Sequence, residues 1–153
     1  MLRILTFVLF LSTFSQVNAV EINFLGACSK IPLLSENVLF KPRQTVGEIS
    51  LQVLDQHGIP YSGTAAGLNQ VFATPVGLDA MEVISDNEML AYGWCFEVDG
   101  KIPEVFADKI PVKKTTKLIS WFYGYAHFLN GEWISQCEKA YLRPSPVFCR
   151  DIQ

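Results

Sequence analysis

Between Glu88 and Asp99 the chain alternates with a period of two. Leu90, Tyr92, Trp94, Phe96 and Val98 fall on one side, and Asp99-Gly100 follows. This alternation belongs to a strand with one buried face. Asp-Gly favours a two-residue type I′ turn, whose central residues both take positive φ. Lys117 to Leu129 is a second long strand pattern, ended by Asn130-Gly131, and Glu132 to Cys137 returns from that turn. Two-residue loops place Val98 opposite Lys101 and Phe128 opposite Trp133, because alternation of side chains fixes the register. A chain with these segments must build around a sheet.

The remaining elements are shorter. Val20 to Ala27 carries Ile22, Phe24 and Leu25 and reads as a first strand. Asn37 to Phe40 reads as a second, stopped by Pro42. Thr45 with Glu48 three residues on has the spacing of a capping box. Val46, Ile49, Val53 and Leu54 then recur at helical intervals, and His57-Gly58 with Ile59-Pro60 ends the helix. Tyr61 to Gly67, rich in Gly, Ser, Thr and Ala, reads as a loop, and Gln70 to Val76 as a strand interrupted at Pro75. Asp79, Glu82, Asp86 and Glu88 form an acidic stretch around a loop. Two hairpins and one strong helix predict an α+β domain with a mixed or antiparallel sheet packed on a single helix.

The N-terminus carries an address. Met1-Leu2-Arg3 is a cationic start, Ile4 to Phe14 is a short apolar run, and Val17-Asn18-Ala19 has the small-residue form of a cleavage site. The run is shorter than the roughly 20 residues needed to span a bilayer. We therefore expect a signal peptide over 1–19 and one secreted or periplasmic domain over 20–153. Leu25-Gly26-Ala27-Cys28 resembles a lipoprotein box, but Asn18, Glu21 and Asn23 separate it from the apolar run. Lipidation there would leave an odd number of thiols.

The four cysteines, Cys28, Cys95, Cys137 and Cys149, all follow the leader. In an exported chain they are most simply two disulfides. The segment between Cys137 and Cys149, with Pro144 and Pro146, suggests a local bridge that leaves Cys28 with Cys95 and tethers the C-terminal tail. Long-range pairings stay open. A zinc site lacks the Cys-x-x-Cys or His spacing it needs.

Composition narrows the chemistry. The net charge of −3 becomes −4 without the leader, and only Lys113-Lys114 is a basic cluster, which argues against nucleic acid. The acidic stretch does not have EF-hand spacing. Gly63-Thr64-Ala65-Ala66-Gly67 lacks the lysine and the strand-to-helix context of a phosphate loop. The two histidines suit structural positions, His57 at a helix end and His127 in an aromatic strand. No catalytic constellation, metal site or cofactor is expected.

One segment has a relative. Gly93-Trp94-Cys95-Phe96-Glu97-Val98-Asp99-Gly100-Lys101 resembles the Gly-Trp-x-Tyr-x-Val-Asn-Gly-x signature of domain-of-unknown-function family 4430. That family is similar to the C-terminal β-grasp domain of transcobalamin and intrinsic factor. Phe106-Ala107-Asp108-Lys109-Ile110-Pro111-Val112 and Ile119-x-Trp121-x-Tyr123 are similar to two further stretches of the family, and the helix ending in Leu54 followed by Tyr61-Ser62-Gly63 is in the family's order, so the resemblance covers about residues 45 to 126. Two features depart from it: Thr116-Lys117 stands where the family has Gly-Asp, and the cysteine framework and tail lie outside the pattern. The resemblance implies a β-grasp fold and a binding habit toward a corrinoid-like or other flat molecule. It implies no activity.

The aromatic residues are the candidate binding groups. Trp121, Tyr123 and Tyr125 share one strand face, and Trp94 lies on the neighbouring strand. If that face is open, it suits a flat apolar ligand, a glycan or a partner protein. If the tail folds back with Trp133, Tyr141 and Phe148, the rings are core instead. The expectation is an exported, non-catalytic module binding an unknown small ligand, or an envelope interaction domain with no small ligand.

Overall fold

The two alternating segments pair with each other. Glu88–Val98 runs antiparallel to Leu118–Leu129 in an unbroken register from Glu88↔Leu129 to Val98↔Ile119. The computed structural model describes residues 18–149, so most of the expected leader (1–17) and the end of the tail (150–153) lie outside the described residues. In chain order the elements are β1 (Ala19–Leu25), β2 (Leu34–Leu39), α1 (Val46–Gln56), β3 (Tyr61–Thr64), β4 (Gly67–Val71), β5 (Met81–Ser85), β6 (Glu88–Val98), β7 (Leu118–Leu129) and β8 (Glu132–Lys139). The main sheet runs β2-β1-β7-β6-β5, with β8 also on β7. It is mixed, because β1 is parallel to β7 while the other pairs are antiparallel. The architecture is therefore α+β, as the patterning implied.

β7 has two neighbours on its far edge. Its first half pairs with β1, from Glu21↔Leu118 to Leu25↔Phe122, and its second half with β8, from Gly124↔Lys139 to Leu129↔Glu132. Both predicted turns form. Asp99 and Gly100 have φ of 51° and 78°, Asn130 and Gly131 of 51° and 93°, and Val98 meets Lys101 while Phe128 meets Trp133. Ala19 makes only the first rung with Leu39, and Val20 is the first buried side chain of β1. Cleavage after Ala19 would leave the core whole.

α1 covers one half of the core face. Thr45 Oγ1 accepts from the Glu48 N–H and the Glu48 carboxylate accepts from the Thr45 N–H, at 3.2 and 2.8 Å. Val46, Ile49, Val53 and Leu54 are fully buried. At the other end, Gly58 takes φ +62°; its N–H reaches the Asp55 carbonyl and the Ile59 N–H reaches that of Leu54. These two bonds make a Schellman stop, which a left-handed glycine permits.

The stretch after the helix differs from expectation. Tyr61 to Gly67 is not a loop but the greater part of a hairpin, β3 on β4. Its Gly, Ser and Thr positions are mostly exposed, so no apolar alternation marks it. The strand expected over Gln70 to Val76 ends at Val71, because Phe72 and Ala73 both sit at positive φ, 53° and 56°. Such left-handed residues cost about 1–2 kcal/mol each, and three bonds hold the turn: Trp94 Nε1 to Thr74 Oγ1, Tyr123 Oη to the Pro75 carbonyl, and Gln70 Nε2 to the Thr74 carbonyl, all at 2.8 Å. The acidic stretch is no single loop either. Glu82 lies in β5 and accepts from Tyr92 Oη, and Glu88 lies in β6 and meets His127 at 2.9 Å.

The disulfides correct the expected pairing. They join Cys28 to Cys149 and Cys95 to Cys137, not Cys28 to Cys95 and Cys137 to Cys149. The reason is a matter of faces. Cys95 alternates with the core residues Trp94 and Phe96 and so points to the outer face. β8 shifts register on both sides of Ser135, with Cys137 at φ +55°, and bends over that face. Gly124 leaves room there; a Cβ on it would stand 2.9 Å from the Glu138 carbonyl. The Lys139 ammonium then lies over the Phe122 ring and on Glu97. Burial opposes its charge, but Glu97 and Tyr141 together outweigh this and raise its pKa.

The tail crosses to the core face, where Phe148 meets Tyr92 edge-on at 4.7 Å and Cys149 joins Cys28 beyond β1. Cys137 and Cys149 are thus on opposite sides of the sheet. Cys28 is bridged to Cys149, and no cysteine among the described residues is free. Two disulfides point to an oxidising, extracytosolic compartment, and among the described residues no helix is long and apolar enough to cross a membrane.

Two outcomes are expected. Non-reducing digestion with mass spectrometry should recover Cys28 linked to Cys149 and Cys95 linked to Cys137; a Cys137–Cys149 fragment would contradict the fold. Burial raises the Tyr123 phenol to about 12. Burial and the Glu82 carboxylate raise Tyr92 as well. The unfolded chain ionises these phenols near pH 10, so stability present below that value falls as pH rises from 10 toward 12. Denaturant midpoints across that range should drop, with the Tyr123 phenolate absorbance appearing only at its upper end or on unfolding.

Candidate functional site

The β3–β4 hairpin stands against the first turn of α1. Gly47 makes this approach possible, since a Cβ there would collide with the Ala65 carbonyl. The tip is fixed from the other side by the Ala107 N–H, which donates to the Ala66 carbonyl at 3.2 Å. Ala107 ends a strap, residues 102–106, that leaves β6 through the Asp99-Gly100 turn. Its near end is held by two bonds between Val98 and Lys101, at 2.9 and 3.1 Å.

Between strap and hairpin lies a groove of about 520 Å³. Trp94, Phe96 and Trp121 form its floor, and Cys95 and Cys137 reach one corner. The strap diverges from β6 for a local reason. Continuing the Val98–Lys101 pairing would set Pro103 opposite Phe96, and proline has no N–H to donate.

The floor is chemically apolar. Trp121 Nε1 donates to Ser50 Oγ at 2.7 Å, and Ser50 passes the bond to the Val46 carbonyl. Trp94 Nε1 is taken by Thr74. Both indole donors are therefore used internally, and carbon faces the groove. Phe96 packs on Trp121 with centroids 4.9 Å apart. Glu104 is the one ionisable side chain in the lining. Ile102, Val105 and Phe106 of the strap are 50%, 53% and 69% exposed. Large apolar residues gathered at that exposure around a concavity suit a binding surface.

The predicted binding residues divide. Trp94 and Trp121 are largely buried but line the groove. Tyr123 is fully buried, stacked on Tyr92 at 5.9 Å and capped by Phe148 at 6.1 Å. Tyr125 is half-buried against Tyr92 and lies away from the groove. The four rings do not form one open stripe, because α1 and the tail share that face. Of the tail aromatics named as possible cover, Phe148 covers it; Trp133 packs instead on Phe128 and is 48% exposed.

Sequence patterning missed the strap and the hairpin tip. The signal for the strap was Pro103 within the apolar run that follows a tight turn. The histidines meet carboxylates outside the groove, His57 with Glu36 at 3.3 Å and His127 with Glu88 at 2.9 Å. Among the described residues no three His, Cys, Asp or Glu side chains gather to hold a metal.

Comparison with family models, with curated proteins and with solved structures finds no match for this chain.

Proposed function

We propose that this protein is an exported, non-catalytic binding module of β-grasp type that takes its ligand in the groove over Trp94, Phe96 and Trp121. The observation that carries the reading is the groove itself: an apolar aromatic floor whose polar tips are used internally, walled by two segments that the core holds in place. The resemblance to family 4430 supports the same reading and favours a flat, corrinoid-like molecule. A second reading, an envelope interaction domain, draws on the exposed Ile102, Val105 and Phe106.

The test uses a Trp133→Phe variant, which removes the exposed indole and leaves Trp94 and Trp121 as reporters. Titration with corrinoids, planar aromatics, glycans and short peptides should give a saturable fluorescence change for at least one class. Gly47→Ala overpacks the helix–hairpin contact at a cost of about 1–3 kcal/mol, and should weaken the response by displacing the groove wall. A panel that leaves both indoles silent would overturn the groove reading.

A further inference from the structure

The backbone beside the groove says what kind of ligand it is shaped for. In an antiparallel strand, successive residues direct their N–H and C=O to alternate edges. The Asp99 N–H donates to Leu118 of β7, whereas both groups of Val98 turn away from β7 to Lys101. The same parity turns the groups of Trp94 and Phe96 away from β7, toward the groove. β5 occupies that edge of β6 only from Glu88 to Ala91. Beyond it no described strand pairs with this edge until Lys101 meets Val98, and β4, which lies nearby, pairs only with β3.

The edge therefore has a gap. β5 ends before it, and the strap that would fill it is turned aside at Pro103. Gaps of this kind accept added strands, because a new strand satisfies the exposed backbone groups.

We infer that the groove binds an extended peptide segment of a partner protein, added as a short strand to the free edge of β6 in line with β5. This rests on the reading of the groove as the binding site. The segment spans about four residues, since alternate residues along a strand are roughly 6.8 Å apart and only Trp94 and Phe96 offer pairs. Its side chains alternate between the Phe96–Trp121 floor and solvent, so the floor-facing positions are apolar. The strap adds Ile102, Val105 and Phe106 as an apolar wall. Glu104, the lone charge in the lining of a protein of net charge −3, favours a lysine or arginine at its end of the segment.

The probe is a capped hexapeptide of alternating valine and threonine with one terminal lysine. It is titrated to millimolar concentration into the isotopically labelled protein. The amide resonances of Trp94 and Phe96 should shift and their hydrogen exchange slow, with smaller changes at Gly93 and Cys95, which face β7. N-methylating one alternate set of peptide nitrogens should weaken binding about tenfold or more, and methylating the other set should change it little, because only one set faces β6. Glu104→Gln should cost about two- to fivefold for the lysine peptide and nothing for a neutral one.

The inference fails if the Trp94 and Phe96 amides do not respond, or if both methylated sets bind equally. In either case a planar aromatic that still quenches the indoles would show that the groove reading stands and the peptide class is wrong. Silence from both probes would remove both readings.

Discussion

The register of β6 against β7 is the constraint from which the rest of the molecule follows. Pairing Trp94 with Tyr123 and Phe96 with Trp121 puts four rings on one face, and puts Cys95, Gly93, Phe122 and Gly124 on the other. A slip of one residue would turn one strand's set over against the other. It would either bury Cys95, half of a disulfide, in the core or expose Trp121. The core face is longer than the helix, so it needs two covers: α1 over Ile119 and Trp121, and the tail over Tyr92 and Tyr123. The Cys28–Cys149 bridge holds the second cover in place. Loop-closure entropy for the 121-residue separation makes such a link worth about 5 kcal/mol.

The buried aromatics also place the irregular parts. Burying a Tyr or Trp requires a partner for its polar tip, and here the four partners come from three segments. Trp121 bonds Ser50 of the helix, Trp94 bonds Thr74, Tyr123 bonds the Pro75 carbonyl and Tyr92 bonds Glu82 of β5. These contacts pin the left-handed turn at Phe72 and Ala73, and hence the end of the hairpin. The groove wall is positioned by the needs of the core. Outer-face chemistry works in parallel: the Cys95–Cys137 bridge and the Lys139–Glu97 pair hold β8 across Phe122.

What was legible in the sequence shares one property, which is that the signal was local. The capping box at Thr45 and Glu48, the glycine stop at Gly58 and the two type I′ turns depend on a few neighbouring residues. The alternation of β6 and β7 depends on one buried face. What was not legible depended on distant partners. Phe72 and Ala73 adopt φ values that no local rule gives a Phe-Ala pair. The hairpin at Tyr61 rests on Gly47, which sequence alone shows only as a helix residue of low propensity. The cysteine pairing required knowing that Cys137 and Cys149 end on opposite faces, and proximity along the chain pointed the other way. Of the candidate rings, Trp94 and Trp121 border the groove and Tyr123 and Tyr125 do not. The tail's route, which divides them, depends on a contact far along the chain that no local pattern shows.

Pro103 connects the sheet to the groove. A strap leaving a type I′ turn beside a free strand edge has every reason to continue the ladder, since each added pair satisfies backbone groups on both sides. Proline removes the donor at the next position that would face β6, so pairing stops after Val98 and Lys101. The hairpin cannot take the vacant place, because its tip is committed to Gly47 on α1 and to Ala107. β5 cannot extend into it, because the chain before Met81 turns through a short 3-10 segment, Gly77–Ala80. Three independent restraints thus keep one stretch of β6, a strand flanked on both sides elsewhere, open along one edge. That stretch carries the floor rings of the groove. Openness maintained by the fold on three sides, at a site lined with apolar side chains, is the physical basis of the proposal that the groove takes a partner.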